Sequence, residues 1–180
     1  MDATKIFEPF AKAGFYMKDI LLQIEDDYER EYDPGARKIL KKQISSLRYL
    51  IDRSFRVTGD YVPVGVSEMA KKYCDDNDLG DIFEIGWGEQ AKFEKQKNRS
   101  SCKLKHEHKV PVKQLVLRLK DTNSIEEAID VYLGQKIVWI HKDEDKKLPQ
   151  SNRPDPDKAY EDAGIKVIEN LNHPGHLFNK

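Results

Sequence analysis

The chain has 180 residues, 38% of them hydrophobic and 35% charged, with a formal net charge of −1. That length holds one domain with at most a helical appendage. Leu, Ile, Val and Phe recur along it too evenly for wholesale disorder. No stretch approaches the ~20 apolar residues that a bilayer span needs. Two cysteines, Cys74 and Cys102, supply neither a disulfide framework nor an all-cysteine zinc site. The opening Met1-Asp2-Ala3-Thr4-Lys5 lacks the basic segment and apolar core of a secretory signal, so a reducing, cytoplasmic location is expected.

The first third reads as helical. Ile6, Phe7, Phe10, Met17, Ile20, Leu21 and Ile24 fall at spacings of three and four, with Gly14 a weak point inside the run. An acidic stretch from Glu25 to Glu31 leads to Asp33-Pro34-Gly35, a turn signal. A second apolar stripe follows in Ile39, Leu40, Ile44, Leu47, Leu50, Ile51 and Phe55. Two such helices joined by a short turn make an antiparallel hairpin. Thr58-Gly59-Asp60 and Pro63 break the pattern, and Ser67 is placed to cap a short helix reaching Tyr73.

After Gly80 the texture changes. Asp81-Ile82-Phe83-Glu84-Ile85 reads as a strand ended by Gly86-Trp87-Gly88, and residues 89–99 as a polar, basic helix or loop. Cys102 to Val110 alternates as a strand does, whereas Val112 to Leu119 mixes helical and extended signals. Ser124 with Glu127 forms a capping box for a helix ending at Leu133-Gly134. Ile137–Ile140 is a short buried strand, Asp143 to Leu148 a helical turn, Asp157 to Ala163 a helix and Ile165–Ile168 a last strand. The expected fold is α+β: an N-terminal helical hairpin, then a small mixed β-sheet flanked by helices. The expected divisions are a helical part over 1–78, a sheet-and-helix core over 79–170 and a tail over 171–180.

Charge is unevenly placed. Between Lys92 and Lys120 stand ten Lys or Arg against two acids, Glu94 and Glu107. That net +8 leaves −9 for the rest of a chain whose total is −1. Such a segment suits a surface that meets phosphates, although a solvated face answered by acids elsewhere would look the same. At its centre lies Lys103-Leu104-Lys105-His106-Glu107-His108-Lys109-Val110-Pro111. In a strand, Leu104, His106, His108 and Val110 share one face, and Lys103, Lys105, Glu107 and Lys109 the other.

Three readings of this cluster are open. Glu107-His108-Lys109, with Asp81 at the start of an earlier strand-like run, resembles the Asp…Glu-x-Lys pattern of the restriction-endonuclease-like nucleases. The order strand, strand, helix, strand also resembles their core. That resemblance implies that Asp81 and Glu107 hold Mg2+ (or Mn2+), that Lys109 steadies developing charge, and that His108 or a bound water supplies the base. No Pro precedes Asp81 in the customary way, Pro111 follows closely after Lys109, and a Glu-x-Lys triplet also suits a strand edge where lysines discourage pairing. The second reading takes Glu107-His108-Lys109-Val110-Pro111 as similar to the acid-His-x-x-Pro signature of HNH nucleases, with Asn123 just before a helix. The family's Gly-Gly is missing, and Tyr132 stands where its last ligand would be. In the third, His106 and His108 on one strand face join His141 in a transition-metal site, as in a metallohydrolase; hydrogen-bonded structural histidines are the plain alternative.

Other features weigh less. Trp87 between glycines could stack a base or simply fill a sheet edge. Cys102 near the histidines is a conceivable nucleophile but more simply a small apolar residue, and His173 and His176 sit in a terminal segment. The expectation is a metal-dependent, restriction-like DNA endonuclease hydrolysing phosphodiester bonds, with DNA favoured over RNA. Lys97, Arg99, Lys103, Lys105 and Lys113 would meet phosphates, no membrane is involved, and a homodimer is admitted. The alternatives are a non-enzymatic nucleic-acid- or partner-binding module and a histidine-based metallohydrolase. Metal-dependent stabilisation separates the module from the enzymes.

Overall fold

The computed structural model describes residues 3–59, 63–85, 89–150 and 153–169. The Gly86-Trp87-Gly88 segment and the 171–180 tail with His173 and His176 lie outside the described residues. The fold is α+β. Helices α1 (Ala3–Arg30) and α2 (Pro34–Gly59) form the N-terminal hairpin, followed by β1 (Pro63–Ser67) and α3 (Glu68–Asp76). A 3-10 turn (Ile82–Glu84), α4 (Gln90–Phe93), a second 3-10 turn (Arg99–Ser101) and β2 (Leu104–His108) come next. Then follow α5 (Val112–Lys120), α6 (Ile125–Leu133), β3 (Ile137–His141), α7 (Lys142–Asp145), α8 (Pro156–Asp162) and β4 (Val167–Glu169).

In space the chain divides into two units that interleave along the sequence. One is built of residues 2–58 and 112–134, the other of 59–111 and 135–180. The helical unit holds α1, α2, α5 and α6. Phe7, Ala11, Leu21, Ile44, Ile51, Phe55, Val112, Leu115, Leu119, Ala128 and Tyr132 are its buried apolar side chains among the described residues. Tyr132 stacks on Phe55 with ring centroids 4.1 Å apart, and its hydroxyl hydrogen-bonds Ser54 Oγ. Gly14 explains itself here: a Cβ at this point of α1 would collide with the Tyr132 ring. The apparent weak point in the first helix is therefore where Tyr132 of α6 packs on α1. Glu25 of α1 ties the unit together, accepting from Arg48 of α2 at 2.7 Å and from Lys120 of α5 at 2.7 Å.

The second unit carries a four-stranded mixed sheet in the order β2-β3-β1-β4. β1 runs parallel to β3, whereas β4 on β1 and β2 on β3 are antiparallel. One face packs Val66, Leu104 and Trp139 against Ala70 and Cys74 of α3 and against Ile82, with Tyr73, Phe83, Ile85 and Phe93 around them. Ser67 caps α3 by accepting from the Ala70 N–H and donates to the buried Glu144 carboxylate at 2.5 Å. Glu144 also accepts the His141 N–H, closing a capping box at the start of α7. Gly65 has no room for a side chain: a Cβ would lie 2.9 Å from the Ile168 carbonyl oxygen of the neighbouring strand.

Several expectations are corrected. Residues 82–84 form a 3-10 turn, not a strand, because Asp81 accepts the Phe83 N–H and bends the chain while Ile82 enters the core. β3 is flanked, besides β2, by Pro63–Ser67, whose Pro63 reads as a breaker. Its pairing carries a register irregularity between Pro63 and Gly65. Val112–Lys120 is a helix with Val112, Leu115 and Leu119 buried along one side.

Candidate nucleic-acid interface

β2 lies at the edge of the sheet and pairs with β3 in the register His106↔Trp139 and Glu107↔Val138. The alternation of a strand sends Leu104, His106 and His108 to the face of the Trp139 core, and Lys105 and Glu107 to the other. The His106 ring meets Trp139 edge-on, with centroids 4.7 Å apart. Burial, followed by the neighbouring His108 and Arg99, pushes the His106 imidazole down to about 3, so it is neutral over the ordinary pH range.

On the opposite face Glu107 has a partner that lies far along the chain. Arg153, 1% exposed, holds Glu107 Oε1 at 2.7 Å. The same guanidinium donates to the carbonyls of Pro149 at 2.7 Å and His108 at 3.1 Å. An arginine buried this deeply requires a carboxylate and carbonyl acceptors, and Glu107 supplies the charge. Lys109 pairs with Asp157 of α8 and stands 5.2 Å from the centre of the Tyr160 ring. Two of the four expected catalytic residues, Glu107 and Lys109, are thus both ion-paired to the segment that closes this side of the sheet. An open hollow of about 400 Å³ beside α8 is lined by Lys147, Lys158, Asp155 and Asp162 as well as Arg153. Its signs are mixed, and its buried cation is already committed to Glu107.

The second acid of the basic segment is also turned inward. Glu94 is 3% exposed and accepts from the backbone N–H of Lys103 at 2.5 Å and of Leu104 at 3.1 Å, and from the Gln90 amide at 3.1 Å. It fastens residues 90–103 to the start of β2. Sequence reasoning passed over Glu94 and Arg153. The available signal for Glu94 was an isolated acid in a basic stretch; Arg153, in a proline-rich loop, gave none.

With both acids withdrawn, the bases remain outside. Lys92, Lys95, Lys97, Arg99 and Lys103 are exposed and Lys105 half-buried. Among the described residues no ion pair involves Lys92, Lys95, Lys97, Lys103 or Lys105. Lys113, grouped with them in the sequence, belongs to α5 of the helical unit.

The remaining expected residues are Asp81 and His141. Asp81 is exposed at the cap of a 3-10 turn. His141 Nδ1 accepts the Asp143 N–H at 3.2 Å, and its ring packs near Tyr73. Among the described residues no three His, Cys, Asp or Glu side chains converge as metal ligands. Glu107 held by a buried arginine and Asp81 on a turn do not fit a divalent-cation site. Burial pushes the Cys74 thiol up to about 11, and burial with the Glu94 charge raises that of Cys102, so neither is an activated nucleophile. No helix among the described residues is long and apolar enough to cross a membrane. Comparison with protein-family models, with curated proteins and with solved structures found no match.

Proposed function

We propose that this chain binds nucleic acid by its phosphate backbone, using the loop that leads into β2 and the edge strand itself. The observation that carries this reading is the sorting of charge within residues 92–105. Glu94 is buried under the loop, while Lys92, Lys95, Lys97 and Lys103 point outward without acid partners among the described residues. A flexible ammonium on an exposed loop gives a strong but sequence-blind attraction to phosphates, with affinity set by released counterions. Lysines outnumber arginines in this segment, Arg99 being its one guanidinium, so backbone contact rather than base readout is the expected mode. Duplex DNA is the ligand favoured first.

Hydrolysis of the bound strand is a second reading. It is favoured by the position of Glu107 and His108 on the edge strand, with Lys109 directly after it. For Glu107 to act on a substrate it must leave Arg153, and breaking a buried ion pair costs about 3–5 kcal/mol. Binding is therefore the conclusion and cleavage the further step.

Fluorescence anisotropy with a labelled 30-base-pair duplex and with single-stranded RNA, over a range of salt concentrations, tests both. The variant Lys95→Gln/Lys97→Gln/Lys103→Gln should weaken binding and reduce the slope of log affinity against log salt by about 2–3. An unchanged slope would remove the loop from the interface. Incubation of the same complexes with Mg2+, Mn2+ or EDTA, read on a gel, decides cleavage.

A further inference from the structure

The strongest charge concentration outside the β2 region is α2. Over Pro34–Gly59 it carries Arg37, Lys38, Lys41, Lys42, Arg48, Arg53 and Arg56 against a single acid, Asp52. Part of this charge is used within the helical unit. Arg48 pairs with Glu25, Arg37 lies over the Tyr28 ring, and Lys41 lines the groove that α2 makes with Asp26 and Glu29 of α1. What is left forms a stripe. At 100° per residue, Lys38, Lys42, Ser45, Tyr49, Arg53 and Arg56 fall on one side of the helix, away from the buried Ile44, Ile51 and Phe55. Lys38, Lys42, Ser45, Tyr49, Arg53 and Arg56 are all exposed, Tyr49 by 63%. Lys38, Lys42 and Arg53 make no ion pair among the described residues, whereas Arg56 is bound to Asp52.

We propose that this outer stripe of α2 is a second contact for a nucleic-acid backbone, separate from the loop before β2. The proposal rests on the nucleic-acid reading above and extends it to the helical unit. Lys, Arg, Ser and Tyr are the side chains that hydrogen-bond phosphate oxygens, and here they alternate without an intervening apolar residue. The stripe runs from Lys38 to Arg56, about 27 Å at 1.5 Å per residue, long enough to meet several successive phosphates. The exposed Ile39, Leu50 and Val57 line an adjoining strip of the same helix. A polyanion is the occupant this charge fits.

The experiment compares Lys38→Gln/Lys42→Gln/Arg53→Gln with the loop triple variant and with the combination. The readouts are duplex binding across salt and binding to phosphatidylcholine vesicles with and without phosphatidylserine. The expected result is at least a tenfold loss at moderate salt, a slope reduced by about 2–3, and an effect that adds to that of the loop triple. The charge-preserving Lys38→Arg/Lys42→Arg/Arg53→Lys should bind as the parent does. If the α2 variant binds duplex like the parent while the loop variant is impaired, the α2 contact is overturned and the loop reading stands. If the parent binds neither DNA nor RNA, both fall. Loss of vesicle binding without loss of duplex binding would make the stripe a lipid contact and overturn the proposal. Equal loss in the charge-preserving variant would make its role structural and overturn it too.

Discussion

Glu107 and Arg153 are 46 positions apart in the chain and 2.7 Å apart in space, with the arginine almost wholly enclosed. The pair joins the edge strand to the loop before α8 and fixes the direction of the only carboxylate on that strand. It follows that Arg153→Leu should destabilise the protein by about 3 kcal/mol, because Glu107 loses its charge partner and the His108 and Pro149 carbonyls lose a donor. Urea unfolding of this variant, of Glu107→Gln and of the double variant measures the coupling directly. Independent, additive effects would mean that the pair contributes nothing.

Glu94 is a second inward acid, and its removal should be felt locally. Glu94→Gln replaces a charged acceptor of two backbone N–H groups by a neutral one, at a cost of about 1–3 kcal/mol. Amide exchange at Lys103 and Leu104 should accelerate before the sheet as a whole loosens. Exchange that is unchanged at those two positions would contradict the account of how the loop is held.

His106 gives the protein a pH dependence of known sign. Its folded pKa, about 3, lies below the unfolded value, so the unfolded state binds the proton first as pH falls. Its contribution to stability is intact above about pH 6.5 and declines on acidification toward pH 3, by up to about 1.4 kcal/mol per unit. His106→Phe should remove that component. Comparing the two proteins between pH 6.5 and 5, above the range in which most carboxylates titrate, isolates it. Parallel stability curves would contradict the desolvated, neutral imidazole.

Gly14→Ala should destabilise the helical unit even though alanine is the better helix former. The added Cβ meets Tyr132, and overpacking a fitted contact costs about 1–3 kcal/mol against the ~1 kcal/mol gained in propensity. Thermal unfolding of Gly14→Ala alone and with Tyr132→Leu tests the cause, since the smaller side chain should relieve the penalty.

What the sequence made legible was local. The Ser124 cap, the Ser67 cap, the Ile137–Ile140 strand and the two long amphipathic helices all declare themselves through neighbours within four residues, although Glu127 accepts the Asn123 N–H rather than closing a capping box on Ser124. Pro63–Ser67 does not announce itself as a strand, and Asp81–Ile85 reads as one, for the same physical reason. A proline-glycine strand and an apolar 3-10 turn are decided by what packs on them, not by their own preference. The division at residue 78 followed a change of texture along the chain, whereas packing groups α5 and α6 with the N-terminal hairpin. At the site, the basic segment was visible and so was Glu107. That Glu94 lies beneath the loop and that Arg153 answers Glu107 depend on long-range contacts that no spacing rule encodes.

The most direct test of the central claim is the salt dependence of duplex binding by the unaltered protein. Five lysines of residues 92–105 meeting phosphates predict a straight line of log affinity against log salt with a slope of about −4 or steeper. No binding at about 50 mM salt, or binding that ignores salt, would contradict the claim that this surface is a nucleic-acid interface.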